Sequence, residues 1–148
     1  MAEFFDPPDV WQPFGPFSLV AVQGGGQIVH LKGQVALDGA GEIVGAGDMR
    51  AQLRQVIENI RTVLAALGGE MRDIFSLTQY TTDIAAFIAA GDIRREFFAA
   101  PFPVTTTVEV ARLYDPALMV EIAAIAEIPR TRFISLLADQ ESGPWKPK

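Results

Sequence analysis

The stretch Leu118–Ile128, LMVEIAAIAEI, constrains this chain more than any other. It reads as a strand, and the side chains of a strand alternate between two faces. Val120, Ile122, Ala124 and Ile128 share one face, Ala123 and Ile125 the other, and both faces are apolar. A strand that turns one side to water alternates more cleanly than this. The chain must therefore build a sheet covered on both sides.

One cover is written in the sequence. Met49, Leu53, Val56, Ile57, Ile60 and Leu64 recur at three- and four-residue steps, which predicts a helix; Asp48 is placed to cap its start and Gly68-Gly69 to stop it. A second helix is expected over roughly Ile84–Ala100, weakened by Gly91 and ended by Pro101 and Pro103. Strands are expected in PFSLVAVQ and QIVHLKGQVAL, joined as a hairpin through Gly24–Gly26, then a short EIV strand, DIFSLTQYTTD, and a last pair, VTTTVEVARL and LMVEIAAIAEI, joined by the turn YDPA. Right-handed crossovers put both helices on one side of a single mixed sheet, in the order ββ(β)αβαββ. The expected class is α+β, as one domain over 1–148, with a proline-rich N-terminal arm at 1–14 and a C-terminal tail at 129–148.

The other cover is not in the sequence. The arms are short and proline-rich, so the bare face is expected to pack against further copies of the chain in a closed homo-oligomer.

Charge and composition narrow the chemistry. A formal charge of −6 without a basic stripe argues against nucleic acid, whose phosphates need several cations. Zero cysteines remove disulfides and thiolate catalysis. Every apolar run is broken well before a membrane span, and the acidic start MAEFFDPPD is unlike a secretory signal, so no membrane partner and a cytoplasmic location are expected. One histidine rules out a two-histidine ribonuclease, and neither a metal-ligand cluster nor a serine triad is visible.

The succession GPFS, KGQVALD, the run from Ala51 to Asp83, REFF, FPVTTTVEVARL and VEIAAIA resembles the reactive-intermediate deaminase family (Rid, YjgF-like, also labelled L-PSP endoribonuclease) from about Gly15 to about Glu127. The resemblance implies a chorismate-mutase-like fold and a homotrimer with a central barrel and clefts between subunits. It also implies hydrolysis of enamines and imines such as 2-aminoacrylate, with no metal or organic cofactor. By the same resemblance Glu121 positions the attacking water, Gly33 presents its backbone to the ligand and Phe102 lines the pocket. Three positions depart from the family pattern: Phe17 replaces a tyrosine, Thr105 an arginine that grips the substrate carboxylate, and Lys32 a serine. A threonine hydroxyl is no substitute for the two parallel hydrogen bonds of a guanidinium. The expected function is cofactor-free hydrolytic deamination of an enamine or imine metabolite unlike plain 2-aminoacrylate. The alternative is a non-catalytic small-molecule-binding or sensor protein on the same trimer, and endoribonuclease activity fits least.

Each candidate also has a plainer reading. Glu121 lies in an apolar strand, where an ionised carboxylate needs a partner, and Arg112 is the expected one across a final hairpin. Lys32 reads as a solvated charge at a strand end, or as a replacement cation for the ligand. His30 shares a face with Lys32 and Gln34 by alternation and reads as a sheet residue. Thr105 and Thr107 share a face and are able to donate to a ligand, although threonine runs also report simple β propensity.

Overall fold

The doubly apolar strand lies inside a sheet. In the computed structural model, which describes residues 1–136, the elements are β1 (Glu3–Phe5), β2 (Val20–Val22), β3 (Gln27–Gln34), α1 (Met49–Ala66), β4 (Ile74–Thr81), α2 (Ile84–Ala89), α3 (Gly91–Phe97), β5 (Val104–Glu109) and β6 (Val120–Ile128). The main sheet has the order β3-β6-β4-β5, with β4 and β5 parallel and β6 antiparallel to both of its neighbours. The architecture is a mixed α+β sheet with its helices on one face.

Helix α1 forms where its periodicity predicts. Asp48 caps it by accepting from the Ala51 N–H at 3.1 Å. Its end is closed by the N–H groups of Gly68 and Gly69, which donate to the carbonyls of Ala65 and Leu64. Gly68 has φ +76°, and a Cβ there would sit 2.0 Å from the Arg132 carbonyl oxygen, so only glycine fits. Leu53, Val56, Ile57, Ile60 and Leu64 are fully buried against the sheet, where β6 contributes Val120, Ile122, Ala124, Ala126 and Ile128.

Several local expectations are corrected. Gly24–Gly26 do not close a hairpin between β2 and β3: β2 pairs with β1, so residues read as an arm supply a strand. The EIV segment contributes a single bridge, Leu37 to Ile43, in place of a strand. The second helix divides at Ala90–Gly91 into α2 and α3 and ends at Phe97, as a glycine inside a helix favours. β5 and β6 are not a hairpin, because β4 lies between them: α2 and α3 carry the chain over to a parallel β5, and β6 returns on the far side of β4. The start of the predicted tail is tied to the end of α1, with the Ile134 N–H donating to Leu67 and Arg132 bonding Gly68 and Asp73. The rest of that tail, 137–148, lies outside the described residues.

A bulge interrupts β3. Leu31 faces Ala124 and Gln34 faces Ile122, so β3 spends one residue more than β6 over this interval. The extra residue breaks the alternation: His30 pairs with Ile125 on the open face, Gln34 with Ile122 on the helix face, so the two do not share a side as expected.

The loop of Gly24–Gly26 serves a buried carboxylate. Glu127, 2% exposed, accepts from the N–H groups of Gly24 at 2.7 Å and Gly26 at 2.9 Å and lies 3.3 Å from the Met1 ammonium. Burial pushes such a carboxyl upward, but these donors together outweigh it and hold Glu127 below its ordinary 4.5. A depressed folded value makes the contribution complete above the unfolded value and lost as pH falls through the folded one. Glu127→Ala is therefore expected to cost about 1–3 kcal/mol in urea unfolding at neutral pH. The gap between variant and wild type should close as the pH is lowered below 4.5.

Candidate functional site

The candidate residues fall into two groups on opposite faces of the sheet. Glu121 stands opposite Tyr80 in the register, between the buried Val120 and Ile122, and so points to the face away from the helices. Gly33, on the β3 bulge, is its neighbour. A Cβ at Gly33 would lie 2.5 Å from the Glu121 Oε2 and 3.0 Å from its Cγ, so the glutamate occupies the room that the glycine leaves. Lys32, also on the bulge, is exposed, and among the described residues its Nζ reaches only the Gly33 carbonyl at 3.4 Å. Arg112 makes no ion pair with Glu121 among the described residues, because β4 separates their strands.

Thr105 and Thr107 face the other way. They stand opposite Leu77 and Gln79, which are buried on the helix side. Both threonines line a partly open cavity of about 690 Å³ together with Phe17, Trp11, Phe14, Phe87 and Arg94. Phe17 is held there by its neighbour: the Ser18 hydroxyl donates to the Phe102 carbonyl at 2.5 Å and the Ser18 N–H to Pro103 at 3.1 Å. Phe102 itself packs on the core and does not line this cavity.

Four residues, three on the cavity wall and one bonded behind it, escape a reading of the sequence. Trp11 and Phe14 lie in the proline-rich start, yet their rings meet Phe17 with centroids 6.1 and 5.2 Å away, both edge-on. The spacing of Trp11, Phe14 and Phe17, three residues apart each time, is the signal that could have found them. Arg94 and the fully buried Gln79 are the other two. Arg94 follows Phe87 by seven residues, a charge on the apolar stripe of the second helical segment, and its guanidinium lies 5.7 Å from the Phe87 ring centroid.

These last two form a chain of hydrogen bonds into the cavity. Arg94 Nη1 donates to Gln79 Oε1 at 2.9 Å, and Gln79 Nε2 donates to Thr107 Oγ1 at 2.8 Å. Arg94 Nε is buried with no acceptor among the described residues. Burial pushes the guanidinium below its ordinary range, and the like charge of Arg95 adds to it. Among the described residues no group of side chains is arranged to hold a metal ion, and no helix is long and apolar enough to cross a membrane.

Known proteins resemble this chain in sequence and in fold. The family model described as Endoribonuclease L-PSP matches residues 9–128. A RutC family protein of Pyrococcus horikoshii is 38% identical over 116 residues, 78% of this chain and 89% of the relative. A protein of Dermatophagoides farinae named 2-iminobutanoate/2-iminopropanoate deaminase is 36% identical over 117 residues, 79% of this chain and 89% of the relative. Among solved structures, a Rid-family protein of unknown function from Yersinia pestis superposes with a TM-score of 0.78 at 31% identity, covering 86% of this chain and 98% of that one. A RidA from an Antarctic Psychrobacter gives a TM-score of 0.64 at 28% identity, covering 85% and 99%.

The Gln79 bridge is open to a direct test. Thr107→Val removes the acceptor of a buried amide donor, and the variant is expected to lose about 1–3 kcal/mol of stability in chemical denaturation. Thr107→Ser, which keeps the oxygen, should recover most of that loss.

Proposed function

Because the chain belongs to the endoribonuclease L-PSP (Rid, YjgF-like) family, we propose that it hydrolyses an imine or enamine metabolite to a carbonyl compound and ammonia, without a cofactor, in a cleft between subunits of a homotrimer. The named imine deaminase among its relatives supports the chemistry in general. The observation that carries the cleft is the separation of the two groups of candidate residues. Glu121 and Gly33 belong to the open face, and Phe17, Thr105 and Thr107 to a cavity on the helix side. One chain cannot bring them together, whereas a second copy docked on the open face can.

In this reading Glu121 holds a water against the imine carbon. The imine reacts in its N-protonated form: as the water oxygen bonds to that carbon, one water proton passes to the carboxylate and the C=N π electrons move to nitrogen, giving a neutral carbinolamine. The protonated Glu121 then returns the proton to the amino nitrogen. As the C–N bond breaks its electrons leave with ammonia, and the hydroxyl proton passes to the Glu121 carboxylate and on to solvent, so that a carbonyl forms. An enamine enters the same sequence after protonation at its carbon. Ala123, Ile125 and Val108 give the open face the apolar character that sister subunits would bury.

A specific observation also favours binding without turnover: Thr105 and Phe17 stand where the family pattern has an arginine and a tyrosine. One experiment separates the two readings. An amino-acid oxidase is used to generate imines in the presence of the protein, and ammonia release is followed. Acceleration is expected, with Glu121→Gln lowering it by about 100-fold or more while the trimer persists. No acceleration for any imine, with Glu121→Gln altering ligand affinity alone, would leave a binding protein. Sedimentation at three protomer masses is expected, and a monomer at micromolar concentration would overturn the shared cleft.

A further inference from the structure

We propose that the cavity beneath Trp11, Phe14 and Phe17 is an anion site in which Arg94 grips the carboxylate of an organic acid whose apolar body lies against the three aromatic rings. A guanidinium drawn out of water needs an acidic partner, and Arg94 is half-buried with its Nε fully enclosed. Arg94 has none among the described residues: its Nη1 is given to a neutral amide and its Nε has no acceptor at all. A guanidinium in this state is what a carboxylate would complete, with charge-assisted bonds that gain strength away from water.

The hydrogen-bond directions point the same way. Gln79 spends its oxygen on Arg94 and its amide nitrogen on the Thr107 oxygen. The Thr107 oxygen is thereby an acceptor for Gln79, and its own proton is left to be donated to something else. Thr105 adds a second hydroxyl on the same face, and Arg95 a second cation at the wall. The polar groups named on the wall offer protons or positive charge, and no carboxylate is among them. Apart from Ser18 and Thr106 the rest of the wall is aromatic, aliphatic or glycine, which suits a monoanion with an apolar group better than a phosphate. Thr105 stands where the family resemblance expects an arginine, and α3 brings a different guanidinium to the same cavity.

Combined with the proposed deamination, on which this step rests, the substrate class is a 2-imino acid with a bulky apolar side chain. The binding claim is tested without turnover. Isothermal titration of the full-length protein compares phenylpyruvate, a stable 2-oxo acid, with phenylacetone, which has the same ring and ketone but no carboxylate, and with inorganic phosphate. Phenylpyruvate is expected to bind at least about 30-fold more tightly than phenylacetone or phosphate. Arg94→Met should remove that advantage and leave phenylacetone unchanged, and Arg94→Lys should restore part of it. The methionine variant also strips the buried Gln79 Oε1 of its donor and should melt lower than wild type, so the titrations are run well below its melting transition. Equal affinity for phenylpyruvate and phenylacetone in the wild type, tighter binding of phosphate, or retention of phenylpyruvate within threefold by Arg94→Met would each overturn the assignment. If the methionine variant does not fold, the lysine variant and the three wild-type titrations decide. Charge-selective binding without ammonia release removes the deaminase reading alone; ammonia release with charge-blind binding removes the anion site alone.

Discussion

The fold depends on the burial of β6. Its even-numbered side chains close the core under α1, and among the described residues no other strand pairs on both edges while presenting so continuous an apolar row. Once β6 sits between β3 and β4, the remaining topology has little freedom: β4 must send its crossover helices to the covered side, and β5 must join at the outer edge. The same strand also carries Glu121 to the other face. Stability and candidate chemistry are thus two sides of one nine-residue segment.

Long-range consequences of this kind were legible in the sequence where a pattern ran for many residues. The stripe of α1 and the two apolar faces of β6 needed nothing else, and the class of fold followed. What failed were local pairings. Gly24–Gly26 have the composition of a hairpin turn, yet their N–H groups are claimed by Glu127, a carboxylate about a hundred residues away in the chain that no local rule could summon. The turn between β5 and β6 looks like a hairpin for the same reason, and only the crossover through α2 and α3 explains why β4 intervenes.

The candidate site was legible by residue type and not by place. Glu121, Gly33, Phe17, Thr105 and Thr107 were each picked out, but alternation alone assigned no common side, and the sheet divides them between its faces. Arg94 and Gln79 were hidden because each is ordinary by itself. An arginine in a helix and a glutamine in a strand become informative only when the first is found half-buried with an enclosed Nε, the second fully enclosed, and the two bonded to one another beside a void.

The bulge at Lys32–Gly33 makes chain length itself a chemical variable. Were one residue removed between Leu31 and Gln34, β3 would regain a regular two-residue rhythm, and the pocket of space that now receives the glutamate side chain would be lost or turned to the opposite surface. Two proteins could then carry the same acid at the matching position of β6 and differ in whether a glycine of β3 leaves it room. Sorting relatives of this chain by the residue count of that short interval, before any comparison of side chains, would separate those that hold the acid against a glycine from those that merely contain one.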